Sequence, residues 1–249
     1  DVNNDCDSNI DEGCIECDLA VPTDYSLIQD ALDNAPVGGL ICVNPGTYYE
    51  HLDFNGGDYH ILGAGPELTI LNGGGTGIVV SFTNGESADA VLEGFTVTNG
   101  YNDDYAGGVN VQQSSPTLRT LDIRDNQGGY GGGLILWDSE STISDVLIHD
   151  NHADGYGGAL ISGCVNASIH DVTISENHAD YGVGGLYIHD STLELSDLTV
   201  SDNQSKSEVG GASIYLSEIS IYHSTFKENT ADTVGGGGLK VSYSSLHME

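Results

Sequence analysis

The chain has 249 residues, enough for one large domain or two small ones with a buried core. It carries 38 acidic residues against 5 lysines and arginines, a net charge of −33, which makes nucleic acid and anionic lipid poor partners. The 35 glycines follow no collagen-like period, 38% of residues are hydrophobic, and no stretch approaches the roughly 18–20 apolar residues of a membrane span. These values exclude a collagen helix, a disordered chain and membrane insertion.

Residues 1–20 form an acidic, cysteine-rich segment that begins DVNNDCDSNIDEGC. Alternating acidic and amide side chains supply the hard oxygen ligands that Ca²⁺ prefers. The predicted ligands are Asn3, Asp5 and Asp7, and Asp11 or Glu12 completes the set. We expect calcium with a structural role, and a solvated acidic linker held by a disulfide is the alternative.

Most of the cysteines lie near the start of the chain, at Cys6, Cys14, Cys17 and Cys42. This clustering indicates disulfides and an oxidising compartment, so we expect a secreted or cell-surface protein. The pairing is left open, and for Cys6 pairing with a residue upstream of this segment is an alternative. Cys164 stands alone in a repeat and is predicted to be a buried, inert thiol.

Residues 21–39 are predicted to form a capping helix and the loop that follows it. Within YSLIQDALDNA, the apolar residues Leu27, Ile28, Ala31 and Leu32 have the spacing of an amphipathic helix. Such a helix would cover the open end of the domain at residues 40–249, which we expect to continue beyond residue 249.

Two markers recur through the second half of the chain with one period. Glycine pairs lie at 107–108, 132–133, 157–158, 184–185, 210–211 and 237–238, spaced by 25 to 27 residues. Asparagines recur with nearly the same spacing at Asn99, Asn126, Asn151, Asn177, Asn203 and Asn229. A period of about 26 residues that is shared by two markers indicates a repeat architecture.

Between the markers, apolar and polar residues alternate. The first and third positions after a glycine pair are apolar, as in Leu134/Leu136 and Leu186/Ile188, which is typical of strands with one buried face. Two or three such strands in about 26 residues predict an all-β, parallel β-helix of about eight coils. Equivalent residues then stack about 4.8 Å apart, so the asparagines form a hydrogen-bonded ladder at a bend. The glycine pairs are expected to allow a corner with positive φ and close approach of the coils.

A second set of positions, after the glycine pairs, is predicted to point outward although it is rich in apolar and aromatic residues. Its members are Ile135, Trp137, Leu160, Tyr187, His189, Tyr215 and Tyr243. Such a surface on a strongly charged protein indicates a partner, either another copy or another domain of the same protein. Stacking against sugar rings and an incidental surface are the alternatives.

Charged and titratable residues also fall into columns. Acids precede the ladder at Asp125, Asp150, Glu176, Asp202 and Glu228. Like charges about 4.8 Å apart repel by about 0.9 kcal/mol in water, so we expect calcium or high salt to stabilise the fold, unless the side chains splay apart. His152 and His178 follow equivalent asparagines and should stack; exposed turn histidines usually bind nothing, and a transition metal is the alternative.

A candidate catalytic group consists of Arg119 and Arg124 with the nearby Asp122 and Asp125. A polysaccharide lyase needs a base and a cation that neutralises the substrate carboxylate. Ordinary surface ion pairs are the simpler interpretation.

Several motifs carry a resemblance to known families. The predicted helix followed by ICVNPGTYYEHLDF and YHILGAGPELTILNG resembles the start of right-handed parallel β-helix proteins, including pectin-lyase-like ones. GGAL, GGLY, GGAS, GGLK and FKEN resemble the repeats of chlamydial polymorphic outer-membrane proteins. DVNNDCDSNIDEGC resembles the DNDCDGxxDE metal-binding motif of deltaproteobacterial secreted proteins, with Ser8 replacing its glycine. These resemblances specify fold better than function.

Together, these features predict a secreted or cell-surface β-helix with a structural or adhesive role, stabilised by calcium and disulfides and able to assemble into arrays or filaments. The expected partner is the protein itself, with glycans as a further option. The alternative function is a polysaccharide lyase or another carbohydrate-active enzyme.

Overall fold

The computed structural model describes residues 16–233 and 235–249, which form a parallel β-solenoid. Helix α1 (Ile28–Asn34) lies among the strands that precede the regular repeats: β1 (Leu19–Val21), β2 (Leu40–Val43), β3 (Gly46–Tyr48), β4 (Leu52–Asp53), β5 (His60–Gly63), β6 (Thr69–Asn72), β7 (Val80–Phe82) and β8 (Val91–Thr98). The described strands make about nine turns, so the fold class is confirmed with about one coil more than the predicted eight.

The regular repeats contribute the remaining strands. They are β9 (Tyr101–Asn102), β10 (Val109–Gln112), β11 (Thr117–Arg124), β12 (Gln127–Gly128), β13 (Leu134–Trp137), β14 (Thr142–His149), β15 (His152–Ala153), β16 (Ala159–Ser162), β17 (Val165–Ser175), β18 (His178–Ala179), β19 (Leu186–His189), β20 (Thr192–Ser201), β21 (Gln204–Ser205), β22 (Ala212–Tyr215), β23 (Glu218–Tyr222), β24 (Thr225–Lys227), β25 (Thr230–Ala231), β26 (Leu239–Ser242) and β27 (Ser245–Met248).

These strands line up in parallel sheets along the solenoid. The first sheet runs β1-β2-β5-β8-β11-β14-β17-β20-β23-β27, with β24 beside β20, β3 beside β6 and β6 beside β8. The second sheet runs β4-β7-β10-β13-β16-β19-β22-β26, and the third runs β9-β12-β15-β18-β21-β25. Each strand therefore pairs with the strand one repeat away, as in Ile143 with Ile169, which places equivalent residues over one another.

The core follows from the period-two alternation, because every second residue of a strand points into the coil. Leu118, Ile143 and Leu195 are all buried at one register position of the first sheet. In the early coils, Phe54 and Phe82 fill the interior with ring centroids 4.2 Å apart.

Helix α1 packs beside the first strands of the solenoid and contacts β1, β2 and β4. Its Ile28, Ala31 and Leu32 are buried in the core, whereas Leu27 is largely exposed. The buried Glu50 carboxylate accepts hydrogen bonds from the N–H groups of Ile28 (2.9 Å) and Gln29 (3.0 Å), so it satisfies donors that the first turn leaves unpaired. Helix α1 spans seven residues, and the described residues contain no helix that is long and apolar enough to cross a membrane.

Buried asparagines form a continuous hydrogen-bonded ladder after the first-sheet strands. From Asn126 to Asn203, each side-chain amide donates to the next asparagine's Oδ1 at 3.0–3.1 Å, and Asn229 is the last acceptor. Each amide also donates to the carbonyl of an earlier strand, for example Asn177 to Ile148 at 2.8 Å. Each Oδ1 from Asn151 onward also accepts the backbone N–H of the preceding asparagine. The ladder thus satisfies polar groups that the bend would leave unpaired in the core.

Asn99 does not belong to this ladder, so the prediction that placed it there was wrong. The strand register aligns Arg124 with Thr98, which places Gly100 opposite Asn126. The N–H of Gly100 donates to Asn126 Oδ1 at 2.9 Å. Asn99 is instead an exposed corner residue with φ 56°.

Single residues in the left-handed conformation bend each coil at three corners. One column is Asn99, Asp125, Asp150, Glu176, Asp202 and Glu228; a second is Thr120, Asp145, Asp171, Asp197 and His223; and a third is Gln113, Asp138, Gly163, Asp190, Leu216 and Tyr243. Their φ values all lie between 46° and 66°. Asn and Asp tolerate this conformation better than most residues, so backbone geometry accounts for many of the stacked acids.

The corner at Leu216 is expected to be a point of low stability, because leucine is a poor left-handed residue. Replacing Leu216, which is half-exposed, with asparagine should raise the free energy of unfolding by about 0.5–1 kcal/mol. The measurement is urea unfolding followed by circular dichroism. The reverse change at the equivalent Asp190, to leucine, should destabilise by a similar amount, and equal stability of both variants would contradict the corner argument.

The glycine pairs have one of their two predicted roles, the close approach of neighbouring coils, but not the other. Their backbone angles lie outside the left-handed region, so the expectation of positive φ was wrong. The close approach of neighbouring coils explains them. A Cβ on Gly158 would lie 2.6 Å from the carbonyl oxygen of Gly185 and 2.9 Å from Nδ2 of Asn177.

Candidate functional site

Five aromatic rings form a continuous stack on the outside of the solenoid, and we call this surface the tyrosine face. It consists of Tyr156, Tyr187, His189, Tyr215 and Tyr243. Successive ring centroids are 4.1, 6.1, 5.6 and 5.6 Å apart. The first three contacts are stacked, and the last, between Tyr215 and Tyr243, is edge-on.

The register of the second sheet produces this stack. His189 pairs directly with Tyr215, so their rings lie almost parallel, 9° apart. Tyr187 lies on the same strand as His189, two residues earlier, and therefore on the same face. Tyr156 reaches the stack from the turn that precedes β16, where its backbone bridges to Val183.

A cleft of about 350 Å³ opens beside the tyrosine face. Its lining combines four tyrosines with polar groups: Tyr156, Tyr187, Tyr215, Tyr243, Glu208, Ser213, Lys240 and Ser242. Lys240 Nζ lies 3.7 Å from Glu208 Oε2 across the edge of this surface. The cleft thus offers flat apolar rings and hydrogen-bonding groups together, a combination suited to contact with another molecule.

Two tyrosine hydroxyls of the stack, those of Tyr156 and Tyr187, have a raised pKa and stay neutral at physiological pH. Burial raises the pKa of Tyr156 well above its ordinary range, and the neighbouring Tyr187 adds to this. Burial also raises the pKa of Tyr187. Both groups therefore remain able to donate hydrogen bonds.

Two members of the predicted outward surface are buried instead, and a third, Tyr243, points outward from a different column. Ile135 (0% exposed) and Leu160 (5%) form a small second core with Ala106, against which Tyr156 and Tyr187 pack. The cause is that the tyrosine-bearing turns fold over this part of the second sheet. Tyr243 is 82% exposed. The residue aligned with Tyr215 is Ser242, so Tyr243 lies one position later, at a left-handed corner.

The remaining members, Trp137, Tyr187, His189 and Tyr215, are at least partly accessible. Trp137 is 43% exposed and lies in the same column as His189, with Ser162 between them.

The first candidate catalytic arginine, Arg119, is held by one carboxylate. Its Nη2 and Nε lie 2.6 and 2.7 Å from Glu93 Oε2, and His60 Nε2 lies 3.0 Å from the same oxygen. The guanidinium is thus engaged in a surface pair between neighbouring coils.

The second candidate, Arg124, contacts both acids that the sequence grouped with it. It lies 3.1 Å from Asp122 and 3.1 Å from Asp125. His149, one coil further, brings Nε2 to 2.8 Å from Asp122 Oδ1 and Nδ1 to 2.6 Å from Asp150. Asp122 Oδ1 is buried and, within the described part of the chain, accepts no hydrogen bond of good geometry, so the His149 contact is short but not aligned as a hydrogen bond.

A groove of about 490 Å³ adjoins this cluster. It is lined by Ala64, Gly65, Pro66, Glu67, Leu68, Thr120, Leu121, Asp122, Asp145 and Leu147. Asp122 therefore connects the Arg124–His149 cluster to an open space with two further acids, Glu67 and Asp145.

The predicted calcium ligands Asn3, Asp5, Asp7, Asp11 and Glu12 lie outside the described residues, as do Cys6 and Cys14. Cys17 and Cys42 form a disulfide with a Cα–Cα distance of 5.8 Å. Cys164 is a free, buried thiol, and burial raises its pKa to about 11, as expected for an inert core cysteine.

The stacked parallel sheets, the asparagine ladder and the single-residue corners define a β-helix. The chain matches the family described as right handed beta helix region over residues 67–204 and, in an overlapping match, 107–249, and it belongs to this family. Among solved structures, it is similar to a pectin methylesterase from Aspergillus niger in deglycosylated form, with 14% identity and a TM-score of 0.34 over 94% of this chain and 86% of that one. No curated protein matches the chain.

Proposed function

We propose that the protein is a secreted or cell-surface β-helix with a structural or adhesive role, and that it binds a second copy of itself through the tyrosine face. The observation that carries this proposal is the five-ring stack beside an open cleft on a parallel sheet. Tyrosine rings offer a large amphipathic contact area at a low cost in conformational entropy, and they are enriched in protein interfaces.

The net charge of −33 sets the condition for such self-association. Two strongly acidic copies repel each other at long range, and salt or bound calcium reduces this repulsion. Calcium binding by residues 1–20 remains a prediction from the sequence. The Cys17–Cys42 disulfide supports an oxidising compartment and hence secretion.

The test replaces two rings of the stack with residues that the same columns already accept. Ser213 aligns with Tyr187, and Ser242 aligns with Tyr215, so the Tyr187→Ser/Tyr215→Ser variant should keep the fold. We expect the wild-type chain to associate in light scattering as concentration and salt or calcium increase. The double variant should associate at least tenfold more weakly, because aromatic anchors dominate interface energies.

The matched control is Trp137→Gln, since Gln112 aligns with Trp137 on the neighbouring strand. This control removes an exposed aromatic residue outside the stack and should associate like the wild type. A wild-type chain that stays monomeric under all these conditions would refute self-association. Binding of a glycan that is lost in the double variant would instead assign the tyrosine face to sugar recognition.

A second candidate function, a carbohydrate-active enzyme, is favoured by the groove next to Asp122 and the Arg124–His149 cluster. Its test is incubation with acidic and neutral polysaccharides, followed by assay of reducing ends and unsaturated products. Cleavage that disappears in Asp122→Asn but persists in the Tyr187→Ser/Tyr215→Ser variant would support this function.

A further inference from the structure

His152, His178 and Asp180 bring three metal-binding groups together on the third sheet. His152 and His178 pair in register on β15 and β18, and their ring centroids are 5.2 Å apart. Nε2 of each ring lies 3.3 Å from the same oxygen, Asp180 Oδ1. All three ligand atoms lie within 4.8 Å of one another, and all three residues are half-buried.

These distances fit a metal site. Imidazole nitrogens and carboxylate oxygens bind Zn²⁺ at about 2.0–2.2 Å, so two ligands of a tetrahedral ion lie about 3.4 Å apart. Both nitrogen-to-oxygen distances already have nearly this length. The strand geometry creates the arrangement, because parallel pairing stacks the two histidines and Asp180 follows His178 at the i+2 position.

Lys206 currently neutralises the carboxylate of this cluster. Its Nζ lies 2.6 Å from Asp180 Oδ1, and the side chain is 55% exposed, so it can move into solvent. Lys206 therefore competes with any cation that would bind Asp180.

We propose that His152, His178 and Asp180 bind a divalent first-row transition metal, with Zn²⁺ as the representative ion, and that the metal links two neighbouring coils. Two imidazoles and one carboxylate favour such metals over Ca²⁺ and Mg²⁺, which prefer all-oxygen shells. Three protein ligands at an accessible position leave room for water in the remaining position. None of these three residues belongs to the segment at residues 1–20 or to the tyrosine face.

The neighbouring coils supply conservative variants. Gln127 aligns with His152, and Gln204 aligns with His178, so His152→Gln and His178→Gln place a residue that the column already contains. The experiment is calorimetric titration of the full chain with Zn²⁺ in millimolar Ca²⁺, which occupies hard oxygen sites. We expect one Zn²⁺ site in the wild type and at least tenfold weaker binding in each glutamine variant, since even outer-shell partners of a metal are worth about 10–100-fold.

Two further variants separate this site from other histidines. Lys206→Gln should bind Zn²⁺ more tightly than the wild type, because the competing ammonium is gone. His170→Gln changes a histidine that pairs with Asp171 elsewhere on the surface and should leave Zn²⁺ binding unchanged. Co²⁺ titration should give the visible absorption of a tetrahedral site in the wild type and lose it in His178→Gln.

Equal Zn²⁺ affinity in the wild type, His152→Gln and His178→Gln would overturn the proposal, as would loss of binding in His170→Gln alone. A Zn²⁺-induced rise in melting temperature that is present in the wild type and absent in both glutamine variants would support the link between coils.

Discussion

Replacing Gly185 with alanine is expected to lower the free energy of unfolding by about 3 kcal/mol or more. The new Cβ would lie 2.6 Å from the carbonyl oxygen of Gly211 and 2.9 Å from Nδ2 of Asn203. Both atoms belong to the next coil, where neither the backbone nor the ladder can move without losing hydrogen bonds. The loss of stability should therefore lie at the upper end of the range of about 1–3 kcal/mol that is typical of overpacked cores. The measurement is the shift of the urea midpoint followed by circular dichroism.

The chain contains a matched control for this change. Gly238 is the second glycine of its pair and corresponds to Gly185, but a Cβ at Gly238 would meet nothing within 4 Å. Gly238→Ala should therefore change stability by less than about 0.5 kcal/mol. If both alanine variants unfold at the same urea concentration, close approach of the coils is not the reason for the glycine pairs.

Asn177→Ala is expected to destabilise the fold by about 3 kcal/mol. The substitution removes the acceptor of the Asn151 N–H and Nδ2 groups and the donor to the Ile148 carbonyl, all in the buried ladder. A buried polar group left without its partner costs about 1–3 kcal/mol. Thermal and urea unfolding of the variant and the wild type would measure the loss.

The control for the ladder is the adjacent corner. Glu176→Asn changes an exposed left-handed residue into one that suits this conformation, so stability should stay equal or rise slightly. A comparably large loss in Glu176→Asn would show that the bend, rather than the ladder, is sensitive to substitution.

The sequence predicted the fold because its two markers report on different physical constraints with one period. Asn126 to Asn229 mark where buried backbone groups need partners, and the glycine pairs mark where coils touch. Asn99 was wrongly counted as a ladder residue because asparagine also suits left-handed corners. Only the strand register distinguishes a corner asparagine from a ladder asparagine.

The site was less predictable, because exposure depends on what folds over a strand. Ile135 and Leu160 point away from the main core, as expected from the alternation. The side chains of Tyr156 and Tyr187 pack over them, however, and bury them. The sequence placed His152 and His178 in one column but missed Asp180 and Lys206. The spacing of two residues between His178 and Asp180 could have indicated that both side chains lie on one face. Lys206 reaches Asp180 from the next coil, a contact that depends on how the coils stack.

The direction of the inter-strand hydrogen bonds determines how this solenoid responds to mechanical force. In the stacked sheets these bonds run along the long axis, and each coil contacts only its neighbours. Tension between the two ends therefore loads every interface between coils with the full force, so separation of a single interface is enough to extend the chain. Force across the axis is instead shared by many coils, which makes the solenoid weaker against stretching than against sideways load.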